Sequence, residues 1–328
     1  MAKLWLLVTS AAAVSWALLA SGAAQAQAYP TKPVRIIVPY VPGGSTDLNA
    51  RVVGAKLSEA LGQTFIVENR AGAAATIGTE AVVRAPADGY TLLLGAVQPI
   101  ILNALAFKNL RYDADRDLTP ITINLLVPNY IVVHPSVPAH NLQQLIAFVR
   151  KNPGGVSFAS SGIGTSGHLS GLLLNQMGKL NMEHVGYKGS APATTETVGG
   201  QVPILVDQPV PSIQHVRSGR LRAIAAGGLT RMSALPDLPT ADEQGLKGYD
   251  STTWFGFFAP AGTPAAVVNR LYDQIKRIMT LPDVRDKFVP SGYDPVAISP
   301  QEAITKIRAD RAKWGQLRKA AGIEPQSL

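Results

Sequence analysis

Short apolar runs alternate with amphipathic stretches along most of the chain. Val34 to Val38 has the length and content of a strand. After it Leu48, Val52, Val53, Leu57 and Leu61 recur at helical spacing, and Gly62 closes the stripe. Ser45, Thr46 and Asp47 ahead of the stripe are helix-capping types. The theme repeats: a strand at Phe65 to Val67, a small-residue loop at Gly72 to Thr76, a helix through Arg84, a turn at Pro86 to Gly89, and a buried strand at Tyr90 to Leu94. Such alternation predicts a parallel sheet wrapped by helices.

From Leu126 the pattern restarts, with a strand in "VPNYIVVHPSVP", a helix over Asn141 to Lys151, a strand at Val156 to Ala159, a glycine-rich loop and another helix. "NMEHVGYKGS", "VPILVDQPVPS" and "LRAIAAGG" each add a short strand. Thr263 and Pro264 open an amphipathic helix, and Ser299 to Ala320 ends the chain as helix. Each half carries a glycine-rich strand-to-helix loop, "PGGSTD" and "SSGIGTSGH", and such loops gather at the carboxyl ends of doubly wound strands. The expectation is two α/β domains facing each other across a cleft, with chain crossings near Thr122 to Pro128 and near Thr252 to Phe257.

Composition narrows the setting. With 328 residues, 46% of them hydrophobic, the chain can bury one large core or two moderate ones. Lys3, the apolar stretch from Leu4 to about Ala20 and the endings Ala24-Gln25-Ala26 or Ala26-Gln27-Ala28 read as a signal peptide cut after Ala28 or Ala26, so residues 1–28 are expected to be lost on export. No later apolar run is long enough to span a bilayer. The absence of cysteine removes disulfides, thiolate metal sites and cysteine nucleophiles. A formal charge of +8 favours anionic small molecules, but no basic run carries interleaved aromatics, so no nucleic-acid partner is expected. The densest cluster, Lys306, Arg308, Arg311, Lys313, Arg318 and Lys319, reads as a solvated helix face.

Candidate chemistry concentrates in the two loops. Gly162 to Gly167 spells G-x-G-x-x-G. The acidic residue a dinucleotide site needs about 20 residues on, at the end of the next strand, is absent, since Glu183 precedes the strand. "PGGSTD" lacks the lysine of a phosphate-binding P-loop, so a carboxylate fits better than a triphosphate. What remains is a pair of loops whose free N–H groups, with the helix dipoles behind them, suit an anion. Asp47 is read as a helix cap. His134, His140, His168, His184 and His215 show no metal-ligand spacing, and there is no G-x-S-x-G, H-E-x-x-H or S-x-x-K. His168 is either a loop-bonding residue or a ligand contact. Asp207, closing an apolar run, is either a turn residue or a ligand group.

"YPTKPVRIIVPYVPGGSTDLNAR", "APADGYTLLLG", "FASSGIGTSGHLSG", "VGYKGSAPA", "GGQVPILVDQ", "GRLRAIAAGG", "LPDLPTADEQGLKGYDSTTWFGFFAPAGTP" and "WGQLRKAAGI" together resemble the successive signature segments of the Bug (TctC) solute receptors of tripartite tricarboxylate transporters. The resemblance implies a type II periplasmic-binding-protein, or Venus-flytrap, fold: residues 29–125 with 254–328 as one domain, 126–253 as the other. It also implies a periplasmic, monomeric receptor with no cofactor, no metal and no turnover, which closes on a small di-, tri- or aromatic carboxylate and delivers it to membrane transporter subunits. Carried over by position, it places Tyr40, Pro42, Gly43, Gly44, Thr46 and Asp47 on one cleft wall and Ser160, Ser161, Gly164, Thr165, Ser166 and His168 on the other. Thr76, Tyr187 to Ser190 and Asp207 are neighbours. The chain departs from the family pattern at Ala96-Val97-Gln98-Pro99, at Pro203 and at Gly186. The first departure, with Gln98, lies near the pocket and points to a bulkier wall suited to an aromatic or longer apolar acid. An exported serine hydrolase pairing a serine of "SSGIGTS" with His168, and a receptor serving a signalling partner, are the alternatives.

Overall fold

The computed structural model describes residues 29–327, so the expected signal peptide and its cleavage positions lie outside the described residues. β1 (Val34–Val38), α1 (Ser45–Leu61), β2 (Phe65–Asn69), α2 (Thr76–Val83) and β3 (Thr91–Ala96) follow one another in the expected alternation. β1 lies between β2 and β3 and is parallel to both. Val34, Ile36 and Val38 pack with Val53 and Leu57 of α1, while Ile37 points into a separate core with Val82 and Leu93. Both faces of β1 are therefore covered, which is why its sequence is an apolar run rather than an alternation.

A π-helical turn (Gln98–Leu102), α3 (Asn103–Ala106) and α4 (Ala114–Asp117) lead to β4 (Leu118–Pro128). The next stretch contributes β5 (Tyr130–Val133), α5 (Leu142–Lys151), β6 (Ser157–Ser160), α6 (Ser166–Gly178), β7 (Glu183–Gly186), α7 (Ser190–Val198), β8 (Ile204–Asp207), α8 (Ile213–Arg217) and β9 (Arg222–Ala226). The chain closes with β10 (Thr252–Pro260), α9 (Ala265–Ile278), α10 (Pro282–Phe288), β11 (Asp294–Ile298) and α11 (Pro300–Ala320). Two sheets result, in the orders β11-β4-β10-β3-β1-β2 and β7-β6-β8-β5-β9.

The sheets are mixed rather than parallel. β10 runs antiparallel to β3 and β4, β11 antiparallel to β4, and β5 antiparallel to both β8 and β9. A buried apolar run does not encode strand direction, and β4 and β10 are buried almost end to end. They also narrow the predicted crossings to one end of each range. Thr122 to Pro128 and Thr252 to Phe257 pair with each other inside the first sheet, and the chain leaves that sheet only at Asn129 and regains it at Thr252. The junction is held by Gly227 N–H to Asn129 O (2.8 Å), Ser251 N–H to Gly227 O (2.6 Å) and Asn129 Nδ2 to Ser251 O (2.8 Å).

α11 starts with a capping box in which Ser299 and Glu302 bond reciprocally. Its basic cluster is not a purely solvated face. Lys306 and Lys313 flank the buried Asp310 at 3.3 and 3.2 Å, and Asp310 also accepts from Trp254 Nε1 (3.0 Å). Arg311 reaches Ile100 O and Asp115, at 2.8 and 2.9 Å. These side chains fasten α11 across β10 and the π-helical turn; Arg308 and Lys319 remain exposed.

Candidate functional site

The loop after β1 turns the chain into α1 through Gly43, whose φ of +86° lies in the left-handed region where a Cβ is costly. Gly43 N–H donates to Asp47 Oδ2 (2.9 Å), which also accepts from Arg51 Nε (2.9 Å); Asn69 Nδ2 donates to Asp47 Oδ1 (2.9 Å) and to Tyr40 O (3.1 Å). The Arg51 hydrogen bond, with those from Gly43 and Asn69, holds the Asp47 carboxyl at about 2 against the opposing effect of burial. Asp47 thereby ties the loop to α1 and β2.

The N-cap of α1 is Gly44, and no side chain caps the helix. Its first backbone bond is Leu48 N–H to Gly44 O (2.9 Å), so the N–H groups of Ser45, Thr46 and Asp47 precede the helical ladder. A 17-residue helix places its positive dipole end behind them. The Ser45 hydroxyl is bonded to Tyr293, which steadies the turn from the strand-β11 side.

The second loop is built differently. Ser160 Oγ pairs with His184 Nε2 (2.7 Å) and accepts from Gly162 N–H (3.2 Å). Gly164 N–H donates to His168 Nδ1 (3.1 Å), and Thr165 Oγ1 accepts the His168 N–H (3.4 Å) while donating to Gly162 O (2.7 Å). The His168 and His184 rings stack with centroids 4.0 Å apart. Burial, and then the neighbouring His184, push His168 down to about 4, so its ring is neutral at neutral pH. At the end of β8, Asp207 Oδ1 accepts from Ser161 Oγ (3.3 Å) and Gln208 N–H (2.8 Å), while Oδ2 has no hydrogen-bond partner.

A cavity of about 350 Å³ lies where the two loops face each other. Tyr40, Gly44, Ser45, Thr46 and Gln98 line it from the first sheet's side; Ser161, Thr165, Ser166, Ser190, Asp207 and Gln208 line it from the second; Thr253, Trp254 and Phe255 of β10 complete the wall. The π-helical turn sets Gln98, whose Nε2 donates to Asn103 Oδ1 (2.8 Å).

Residues 49–323 match the family described as "Tripartite tricarboxylate transporter family receptor". The chain belongs to this family, the Bug or TctC receptors. Among solved structures it is similar to the periplasmic binding protein BugD, at 35% identity over 91% of this chain and 100% of that one, with a TM-score of 0.73. An R. palustris protein solved with adipate is 34% identical over 91% and 100% of the two chains, TM-score 0.77. MatC of Rhodopseudomonas palustris, solved with bound malate, is 30% identical over 88% and 99%, TM-score 0.71.

In this Bug receptor the cavity gathers nine of the residues singled out in the sequence: Tyr40, Gly44, Thr46, Gln98, Ser161, Thr165, Ser166, Ser190 and Asp207. Eight others do not line it. Pro42 and Gly43 are exposed on the turn, and Asp47 is held inside the loop by Arg51 and Asn69. The Thr76 hydroxyl bonds Ala73 O, Ser160 Oγ pairs with His184, His168 Nδ1 accepts from Gly164 N–H, and Tyr187 continues β7 with its N–H on Ser160 O (3.1 Å). Gly164 lines an adjoining, more apolar cavity of about 520 Å³ with Val41, Phe107 and Ile163. Sequence reasoning missed Ser45, Gln208 and Thr253. Gln208 follows Asp207 directly and its Nε2 donates to Thr253 Oγ1 (3.0 Å), a bond from the end of β8 to β10 that only the fold reveals. Among the described residues no helix is long and apolar enough to cross a membrane, and no group of His, Asp and Glu could hold a metal ion.

Proposed function

We propose that this Bug-family receptor captures a small organic carboxylate in the periplasm and presents it to the membrane subunits of a tripartite tricarboxylate-type transporter. The supporting observation is the uncapped first turn of α1, whose N–H groups open on a cavity between the two sheets. The adipate and malate recorded for two similar receptors are small dicarboxylates of the size such a cavity holds. The two sheets with their helices act as lobes joined at Asn129 and Ser251. A ligand touching both lobes stabilises the closed form by its differential affinity, and closure is what the transporter reads. The protein works as a monomer with no cofactor.

The geometry supports capture without bond breaking. The Ser161 hydroxyl donates to Asp207, His168 Nδ1 accepts from Gly164, and the one serine of this loop paired with a histidine, Ser160 with His184, is fully buried and does not line the cavity, so no Ser–His pair faces a ligand there as a nucleophile and its base do. The test is a thermal-shift and calorimetric screen of di-, tri- and aromatic carboxylates against their amides and esters. Carboxylates raise the melting temperature and the neutral analogues do not; equal stabilisation by a neutral analogue overturns the proposal, as does hydrolysis of the esters that Ser161→Ala abolishes.

A further inference from the structure

The two walls of the cavity differ in hydrogen-bonding character. The α1 side offers donors, the N–H groups that precede the first helical bond. On the opposite side four side-chain donors are already engaged: Ser161 Oγ on Asp207, Gln208 Nε2 on Thr253, Thr165 Oγ1 on Gly162 O and Ser166 Oγ on Asn129 Oδ1. Among them lies an unpaired acceptor. Asp207 is 1% exposed, lines the cavity, and its Oδ2 is buried without a partner. A buried polar atom left unpaired is costly, and a ligand that pairs it regains that cost on binding.

Building on the carboxylate-receptor function proposed above, we infer that Asp207 selects ligands carrying a hydrogen-bond donor, an amino or hydroxyl group, in addition to the carboxylate that meets the first turn of α1. The ligand is then an amino- or hydroxy-substituted acid rather than an unsubstituted diacid, because a second bare carboxylate would face the Asp207 carboxylate with like charge. Burial pushes the Asp207 carboxyl up from its usual range; the donors from Gln208 and Ser161 act against this, and a ligand donor placed on Oδ2 would act in the same sense, favouring the ionised, accepting form. The Gly167 position, where a Cβ would lie 3.2 Å from Asp207 Oδ1, sets the carboxylate against the first turn of α6, whose dipole acts in the same sense.

The experiment is isothermal titration of the full mature chain with matched sets: succinate, malate and aspartate; glutarate and glutamate; adipate and 2-aminoadipate. In the set of preferred chain length, the substituted acid binds about tenfold or more tighter than its parent diacid, as expected for a hydrogen bond to a charged group. Asp207→Asn, whose fold is checked by circular dichroism, erases the advantage of the amino acid and strengthens binding of the unsubstituted diacid. Equal affinity across every set overturns the inference, and so does an unchanged preference in Asp207→Asn. If that variant does not fold, the affinity ratios of the parent protein decide alone. If no acid in any set binds, it is the carboxylate-receptor proposal that fails.

Discussion

Gly227 sits at the junction where the chain passes between the two sheets, and Gly227→Ala is the most informative single perturbation of that junction. A Cβ built there lies 2.2 Å from Ser251 Oγ and 2.4 Å from Asn129 O, far inside contact distance and partly against backbone, which cannot rotate away. Relief requires Gly227 to move from Asn129, stretching the 2.8 Å bond to Asn129 O and the 2.6 Å bond from Ser251 N–H. Overpacking of this kind costs about 1–3 kcal/mol, and weakening one of the two bonds adds about 1 kcal/mol, for about 3 kcal/mol together. In a chain of this size that corresponds to a fall of about 6 °C in the apparent melting temperature. Gly62→Ala is the control: unlike Gly227, Gly62 has positive φ (+67°), and nothing lies within 4 Å of its Cβ, so it reports backbone strain without close contact, at about 1 kcal/mol. Both variants are followed by circular dichroism on heating. If Gly227→Ala melts within about 2 °C of Gly62→Ala, the close approach at the junction carries no energetic weight and the reasoning is refuted.

Ala73, Ala74 and Ala75 all adopt positive φ (45°, 50° and 70°), a conformation unfavourable for residues with a Cβ. Ala74 is exposed, so Ala74→Gly relieves strain without removing core contacts and raises stability by about 0.5–1 kcal/mol in urea unfolding; a decrease contradicts the assignment of strain. His168 predicts a pH dependence. Its pKa falls from 6.5 in the unfolded chain to about 4 when folded, so between these values the unfolded state binds more protons, and stability drops as pH falls from 7 towards 4. The loss reaches about 2 kcal/mol by pH 5, and His184, also lowered by burial, adds in the same direction. His168→Gln flattens the profile, and an unchanged slope between pH 7 and 5 shows that the stacked ring is not the group responsible.

Much of the molecule is legible in the order of residues. The periodicity of Val34 to Leu61 and the glycine punctuation around it suffice to place a strand, a loop and a helix, because these depend on neighbours a few positions apart. The same holds for the capping signal at Ser299 and for the two glycine-rich strand-to-helix loops, residues of which line the cavity. Strand direction did not follow: β4 and β10 bury both faces, and an apolar run reads the same in either direction.

Within the candidate site, local sequence pointed to the two loops that line the cavity, and the tertiary structure decided which of their atoms are free. Asp47, Ser160 and His168 have the chemistry of ligand contacts, yet Arg51 and Asn69 occupy the Asp47 carboxylate, His184 takes the Ser160 hydroxyl, and Gly164 N–H takes His168 Nδ1 beneath the stacked His184 ring. Gln208 and Thr253 are 45 positions apart and share a hydrogen bond only because β8 and β10 end at one cavity. Hydrogen-bonding capacity belongs to the residue type and is present in the sequence; whether it is already spent depends on partners brought close by long-range packing, which no local pattern records.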